Sequence, residues 1–326
     1  MAARDALASA GLSTDGTPPV DLVVGTTMGE PTWIDTWDRD EAAQSPPPAV
    51  RAAELLAGAP DGLAARVADG AGTRGRVSAV GGACAAGNYA FARALDDIRA
   101  GRATTVLAGG VDAFSRTAYL GFAKLGALAA DACRPFGRDR QGLVLGEGAA
   151  FLVLESADHA RDRRATALAE LVGAGLSCDA YHPTSPHPDG RGAADALQAA
   201  LADAAVRPDE VDWVSAHGTG TPANDRAEVS ALRQVFRRQA PPASSAKSLT
   251  GHGLGAASAI EAVLCVLALR HQSIPPTWHV GDQDPDCKWD VVTEGPRSAD
   301  VRTVVNQAYA FGGCNAVTVL RRVDPS

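Results

Sequence analysis

No apolar run in this 326-residue chain reaches the roughly 18–20 residues that a bilayer-spanning helix needs. The longest apolar patch, "AIEAVLCVLAL" (259–269), is interrupted by Glu261 and reads as a buried helix. The opening "MAARDALASAGL" lacks the apolar centre of a secretory signal. Cysteine is sparse and scattered, at positions 84, 133, 178, 265, 287 and 314, without a C-x-x-C pair or disulfide-like density. Reduced thiols in a cytoplasmic protein follow as the expectation. A net charge of −8 with no basic stripe argues against a general nucleic-acid binder, so an acidic partner would need a local basic patch. Lysine is the scarcest charge: of 30 basic residues only Lys124, Lys247 and Lys288 are lysines. No low-complexity linker and no visible repeat divides the chain.

What is present is 46% hydrophobic and 21% charged, ordinary for a soluble α/β protein with a large core. The pattern predicts a short helix at 5–10, a strand at 21–25 and a helical region at 50–69. Buried strands are expected in "TTVLAGG" (104–110) and "AAFLVLES" (149–156). The second part repeats this grammar, with a strand in "ALAELVGAGLS", a helix over 192–205 and a strand at 211–216. A helix is predicted in "DRAEVSALRQVF", opened by an Asp225/Glu228 capping box. Strands 301–306 and 315–321 close the chain around "AYAFGGC". Strands alternating with helices predict parallel or mixed sheets covered by helices.

One cysteine stands in unusual company. In "AVGGACAAGNYA" (79–90), Cys84 lies among small residues just before a segment whose Phe91, Leu95 and Ile98 share one helical face. At a strand-to-helix junction the free N–H groups and the helix dipole would lower a thiol's pKa. The competing reading is a small buried core residue. Two histidines occupy comparable turns: His217 in "SAHGTGTPAND", directly after a strand, and His252 in "SAKSLTGHGLGAAS". A nucleophile with imidazole partners fits this trio, although each histidine alone could be an ordinary loop side chain.

Other patterns are weaker. "GHGLGAA" looks like a dinucleotide loop but lacks the strand and ribose acid of that motif. His182 and His187 in "YHPTSPH" carry no accompanying metal-ligand spacing. Cys314 could act as a second thiol opposite Cys84, or be a small residue in a tight turn.

Taken together, "ACAAG", "AHGTGTPANDRAE", "KSLTGHGLGAASAIEA", "RPFGRDRQGLVLGEGA", "DAYHPTSP" and "AFGGCN" resemble, in order, the signatures of the β-ketoacyl-acyl-carrier-protein synthases. The resemblance runs from about residue 4 to 322. It implies a thiolase-like α/β fold of two similar halves, 1–156 and 157–326, forming a five-layer α-β-α-β-α sandwich. It implies that Cys84 carries an acyl thioester and that His217 and His252 assist decarboxylation of a malonyl-type extender. The N–H groups of Cys84 and Phe311 would form the oxyanion hole. Lys247 with Glu261 would order the histidine loop. Thr219 and Thr221 would meet the pantetheine arm, Phe122 and Phe311 would gate the acyl pocket, and Met28 would limit chain length. Lys124, Arg134 and Arg138 are candidate contacts for an acidic carrier protein. The resemblance implies no metal and no cofactor beyond the carrier's phosphopantetheine, and a homodimer or a heterodimer with a ketosynthase-like subunit.

Departures accompany it. Gly82 and Ala86 stand where hydroxyl residues are common, Cys314 replaces a usual threonine, and Pro183 breaks a common "DAYHMT" pattern. "FGRDRQGLV" replaces the more usual "FDxxRDGFV". An altered pocket in a polyketide or polyene pathway is the expectation. The chain also begins after the "VVVTGLG"-like strand that opens family members; two expectations stand open, that the true N-terminus is missing from this sequence or that a strand is lost and assembly covers the resulting edge. Three further readings stay open: a thiolase using Cys314, a non-elongating acyltransferase or cyclase, and a chain-length-factor-like partner subunit.

Overall fold

A parallel strand covered by helices on both faces has no solvent side, so its sequence is apolar throughout. Between its end residues Thr105 and Asp112, "TVLAGGVD" is such a sequence, and it lies inside the first of two large sheets. The computed structural model describes residues 1–13, 15, 19–31, 58–237 and 240–323. The first part comprises α1 (Ala2–Ser9), β1 (Asp21–Thr26), α2 (Pro60–Ala71), β2 (Val77–Gly81), α3 (Ala86–Arg99), β3 (Thr105–Asp112), α4 (Arg116–Lys124), β4 (Gly148–Glu155) and α5 (Ala157–Asp162). Next come β5 (Glu170–Cys178), α6 (Arg191–Asp203), β6 (Trp213–Ser215), α7 (Pro222–Phe236), β7 (Ala243–Ser244), α8 (Lys247–Thr250) and α9 (Ala257–His271). A small ribbon of β8 (Ser273–Ile274) and β9 (Arg297–Ser298) leads to β10 (Thr303–Ala310) and β11 (Cys314–Arg321).

The first sheet has the order β2-β1-β3-β4, parallel except for β4. The second has the order β5-β11-β10-β6-β7, with β11 antiparallel to both neighbours. Strand alternation sorts the apolar side chains into layers. On the outer face of the first sheet, Leu22, Val24 and Leu107 pack on Leu7 of α1 and Ala64 and Ala68 of α2. On its inner face, Val23, Val106 and Ala108 pack on Phe91 and Ala94 of α3 and Ala259 and Ala262 of α9. Helix α9 turns its other side, Cys265 and Leu269, to Trp213, Val304 and Leu320 of the second sheet. Leu197, Leu201 and Leu232 of α6 and α7 cover the far face on Val214, Val305 and Val317. The result is five layers, helix-sheet-helix-sheet-helix, with α3 and α9 as the shared central layer. Each fully buried Leu or Phe contributes about 2–3 kcal/mol to this core.

The central layer is tight because its residues are small. A Cβ on Gly87 of α3 would lie 2.6 Å from Ser258 Oγ and 2.8 Å from the Ala259 nitrogen. Among the described residues, Leu254–His271 is long and apolar enough by length and composition to cross a membrane; 67% of it is buried here, as the expected core helix.

Several boundaries differ from those expected, among them three helix starts. The first helix starts at Ala2 because α1 buries Ala3 as well as Leu7. Of the helical region at 50–69, residues 50–57 lie outside the described residues and the helix is Pro60–Ala71. The Asp225/Glu228 capping box does not exist: α7 begins at Pro222 after Thr221, and both acids lie inside it, buried. Proline at the first helical position, whose missing N–H has no intrahelical partner in any case, sets that start.

Candidate active site

The chain leaves β2 at Gly81 and reaches α3 at Ala86 through a single 3₁₀ turn, Ala83–Ala85. Ala83 takes φ 44°, a left-handed conformation uncommon for a residue with a Cβ. That bend sets Cys84 against the second sheet, where it is 6% exposed. The N–H groups of Cys84 itself and of Phe311 both reach its sulfur. The net electrostatic result reverses the sequence expectation. Burial pushes the Cys84 thiol up to about 12, outweighing the Lys247 charge and the two N–H groups, which pull it down, while Asp112 adds to the rise.

His217 follows β6, and His252 follows α8. Their rings meet edge to face, centroids 5.4 Å apart. The His217 and Gly218 N–H groups donate to the two oxygens of Glu228, at 2.7 and 2.8 Å. Lys247 Nζ lies 3.4 Å from His217 Nδ1 and 2.5 Å from Glu261 Oε1. An ammonium can only donate, so Nδ1 of His217 is the acceptor and the ring proton sits on Nε2. His252 Nδ1 likewise accepts from the Leu254 N–H at 3.2 Å, which leaves its proton on Nε2 as well. Burial, then the Lys247 charge, holds both imidazoles well below 6.5, with His252 adding to the effect on His217. The site therefore holds two neutral rings, each with an Nε2–H donor. Burial pushes Glu261 up to about 7 against the pull of Lys247.

Cys84, His217 and His252 line one cavity of about 330 Å³. Thr219, Thr221, Phe122 and Phe311 line it too. The two threonine hydroxyls are 2.9 Å apart, and the two phenylalanine rings stand 5.4 Å apart at 38°. A buried thiol, two N–H groups directed at it and two imidazole N–H donors suit acyl transfer with stabilisation of a developing oxyanion or enolate.

The chain that builds this site is similar to known proteins. The family profiles "Beta-ketoacyl synthase, N-terminal domain" and "Beta-ketoacyl synthase, C-terminal domain" cover residues 1–160 and 168–281. The chain belongs to the β-ketoacyl synthase family. Nodulation protein E of Rhizobium meliloti is 42% identical over 331 residues, which is 99% of this chain and 81% of that protein. The 3-oxoacyl-[acyl-carrier-protein] synthase 2 of Staphylococcus aureus (strain COL) is 38% identical over 273 residues, 81% of this chain and 66% of that protein. Among solved structures, the ishigamide ketosynthase/chain length factor superposes with a TM-score of 0.91 at 40% identity, covering 99% of this chain and 80% of that one. A β-ketoacyl synthase from Burkholderia phymatum STM815 gives 0.90 at 33%, covering 99% and 81%. The thiolase-like fold expected from the sequence is thus the fold of this synthase.

Not every expected residue reaches the synthase cavity. Met28 is half-buried at the end of β1 and is not among the lining residues. Lys124 and Arg138 are exposed, Arg138 lying 3.8 Å from Asp282, while Arg134 is half-buried and bound to Asp131. Cys314 opens β11 outside the lining, close to the Tyr89 side chain. His182 Nδ1 accepts from the Thr184 and Ser185 N–H groups, and His187 Nδ1 from that of Asp189. Among the described residues no group of three or more His, Cys, Asp or Glu side chains could hold a metal ion.

Sequence reading missed the polar groups that hold the synthase loops. Asp112, at the end of β3, accepts from the Thr26 hydroxyl and from the Thr27 and Gly255 N–H groups, fixing the turn after His252. Asn88 and Asn306 bond to each other and to Ser258, Asn306 and Ala316 backbone or hydroxyl groups, tying α3, α9, β10 and β11 together behind Cys84. Asp225 accepts from the Phe136 and Gly220 N–H groups and faces the buried Arg140 guanidinium at 3.5 Å. The two acids read as a cap instead organise the histidine loop from within α7. Their spacing on one helical face, i and i+3, was the signal available.

Proposed function

We propose that this synthase loads an acyl chain onto Cys84 and extends it by decarboxylative Claisen condensation with a malonyl-type carrier-protein thioester. The observation that carries this reading is the meeting of one thiol with two neutral Nε2–H donors in a single cavity. In loading, Cys84 sulfur bonds to the acyl carbon, and the carrier thiol leaves with the Cys84 proton. The extender's carbon–carboxylate bond then breaks, releasing carbon dioxide. The electron pair passes into an enolate whose oxygen takes the Nε2–H groups of His217 and His252. The enolate carbon attacks the Cys84 thioester, whose oxygen turns to the N–H groups of Cys84 and Phe311. Cys84 sulfur departs and takes one proton from solvent, and the carrier bears a β-ketoacyl chain. One oxyanion donor of this kind is worth about 10²–10³ in rate.

Lys247 and Glu261 act as positioning residues, Thr219 and Thr221 as pantetheine contacts, and Phe122 and Phe311 as the gate. Met28 belongs to the acyl pocket on this reading, and Lys124, Arg134 and Arg138 to the carrier-docking face. No metal or resident cofactor takes part. The halves 1–156 and 157–326 are the domain units, and the cytoplasm is the compartment. A polyketide setting and a ketosynthase-like partner are supported by the neighbours: one is a ketosynthase in complex with its chain length factor, another an acyl-carrier protein in complex with its type II ketosynthase.

Intact-protein mass spectrometry tests the reading. Acyl-carrier thioester should add one acyl group to the wild type and none to Cys84→Ala, and malonyl-carrier should then move it into a lengthened carrier-bound product. Loading without lengthening would replace condensation by acyl transfer alone. No loading, with or without a partner subunit, would remove the enzyme reading.

A further inference from the structure

One residue of the cavity wall carries a donor with no task in that chemistry. Tyr309, near the end of β10, lines the cavity beside His217, ring centroids 5.8 Å apart at 66°. It is 6% exposed, and its hydroxyl is buried without a hydrogen-bond partner. Among the described residues it is the only buried, unpartnered polar side chain that lines this cavity; Gln307, two residues earlier, is also unpartnered but does not line it. Phenylalanine would fill the same space without burying a bare hydroxyl, which is unfavourable by itself. A ligand acceptor removes that penalty.

The proposed condensation brings three acceptors into the cavity. The N–H groups of Cys84 and Phe311 face the acyl thioester oxygen, and the two Nε2–H groups face the extender's thioester oxygen. The extender's carboxylate remains. Among the described residues no lysine or arginine lines the cavity, and the one acidic lining residue, Asp179, is bound to Asn315 and the His187 N–H. A cation would hold the carboxylate in its ionised form and oppose its loss as neutral carbon dioxide. A neutral phenol donor holds it with less opposition than a full charge.

We propose that the Tyr309 hydroxyl donates to the extender's carboxylate and so selects a malonyl-type arm over an uncharged acyl arm; this rests on the condensation reading above. Tyr309 stays a donor because burial, with the Glu228 and Asp179 charges, pushes its ionisation well above 10.

Calorimetry with two unreactive probes, malonyl-pantetheine amide and acetyl-pantetheine amide, tests this without turnover. Wild type should bind the malonyl probe more tightly. Tyr309→Phe should lose about tenfold to a hundredfold for the malonyl probe alone, the value of a hydrogen bond to a charged group. Its thermal midpoint should not fall, because the hydroxyl has no partner to lose. In turnover the change should fall on KM rather than kcat for malonyl-carrier. Equal loss for both probes, no loss, or a wild type that does not distinguish them overturns the proposal. A wild type that distinguishes them yet never lengthens a chain overturns condensation instead, and the variant still decides the role of Tyr309.

Discussion

Glu228→Gln should make the protein relatively more stable as pH rises while making it a poorer synthase. Burial pushes the Glu228 carboxyl from 4.5 up to about 7; the N–H groups of Gly218 and His217 and the Lys247 charge oppose this, and Asp225 adds to it. Because the folded value lies above the unfolded one, the folded state holds an extra proton between them. The stability from this group is complete below about pH 4.5 and is lost as pH rises through 7. That gap corresponds to about 3 kcal/mol lost by pH 8, with under 1 kcal/mol of it already lost at pH 5. Glutamine does not titrate. The stability difference between variant and wild type should therefore move by about 2–3 kcal/mol in the variant's favour between pH 5 and pH 8. Glu261 titrates in both proteins and cancels in the difference; Asp225, which acts on Glu228, titrates more easily in the variant and adds to the difference in the same direction. Function moves the other way: two carboxylate oxygens accept the His217 and Gly218 N–H groups at 2.7 and 2.8 Å, and an amide turns its NH₂ toward one of them. Displacing the imidazole on that loop should lower condensation about tenfold or more. Urea unfolding of both proteins at pH 5, 6, 7 and 8, with condensation measured at pH 8, checks this. Parallel stability profiles, or a fully active variant, would refute the account of Glu228 as a carboxylate kept for geometry.

Lys247→Met leaves Glu261 buried without its partner and should cost about 3–5 kcal/mol in thermal or urea unfolding. Adding Glu261→Leu should restore most of that stability but not condensation, since His217 Nδ1 still lacks the donor that sets its tautomer. Gly87→Ala should cost at least about 1–3 kcal/mol, because its Cβ meets Ser258 and Ala259 below 3 Å. Alkylation of Cys84 by iodoacetamide, followed by peptide mass spectrometry, should quicken about tenfold per pH unit from 7 to 9 without a plateau, as a thiol pushed up to about 12 requires; a plateau below pH 8 would show a standing thiolate.

The layers were legible because apolar periodicity reports burial directly. Phe91 and Leu95 point to one helix face, and "TTVLAGG" has no polar side to expose. The grouping of Cys84, His217 and His252 around one cavity was legible because glycine and small residues surround each of them, a local pattern. The polar scaffold was not. Asp112 and the Thr27 N–H are 85 positions apart, and Asn88 and Ala316 are 228 apart. No window of sequence links such pairs. "AYAFGGC" shows the same limit at shorter range: strand β10 runs on through Ala310, and only residues 311–313 turn. Pairing with β11 from Thr303 to Ala310 carries the strand past the point where its apolar pattern thins.

The thiol is the place where local reasoning gave the wrong sign, and the reason bears on how the site works. A helix start and two N–H groups do act on Cys84, but they act inside a space where burial dominates. The same burial keeps both imidazoles neutral. Lys247, Glu261, Glu228 and Asp112 all stand behind the cavity wall, and among the described residues Asp179 is the only carboxylate or cation of the lining. A wall of neutral donors binds a resting thioester weakly, because a carbonyl oxygen carries little charge. It binds an enolate or a tetrahedral oxyanion far more strongly, since full charge then appears where the donors already point and little water competes. On the condensation proposed above, the high resting pKa of Cys84 and the low ones of His217 and His252 are two consequences of one design: charge is withheld from the ground state, so that the transition state is the first species the site stabilises with it.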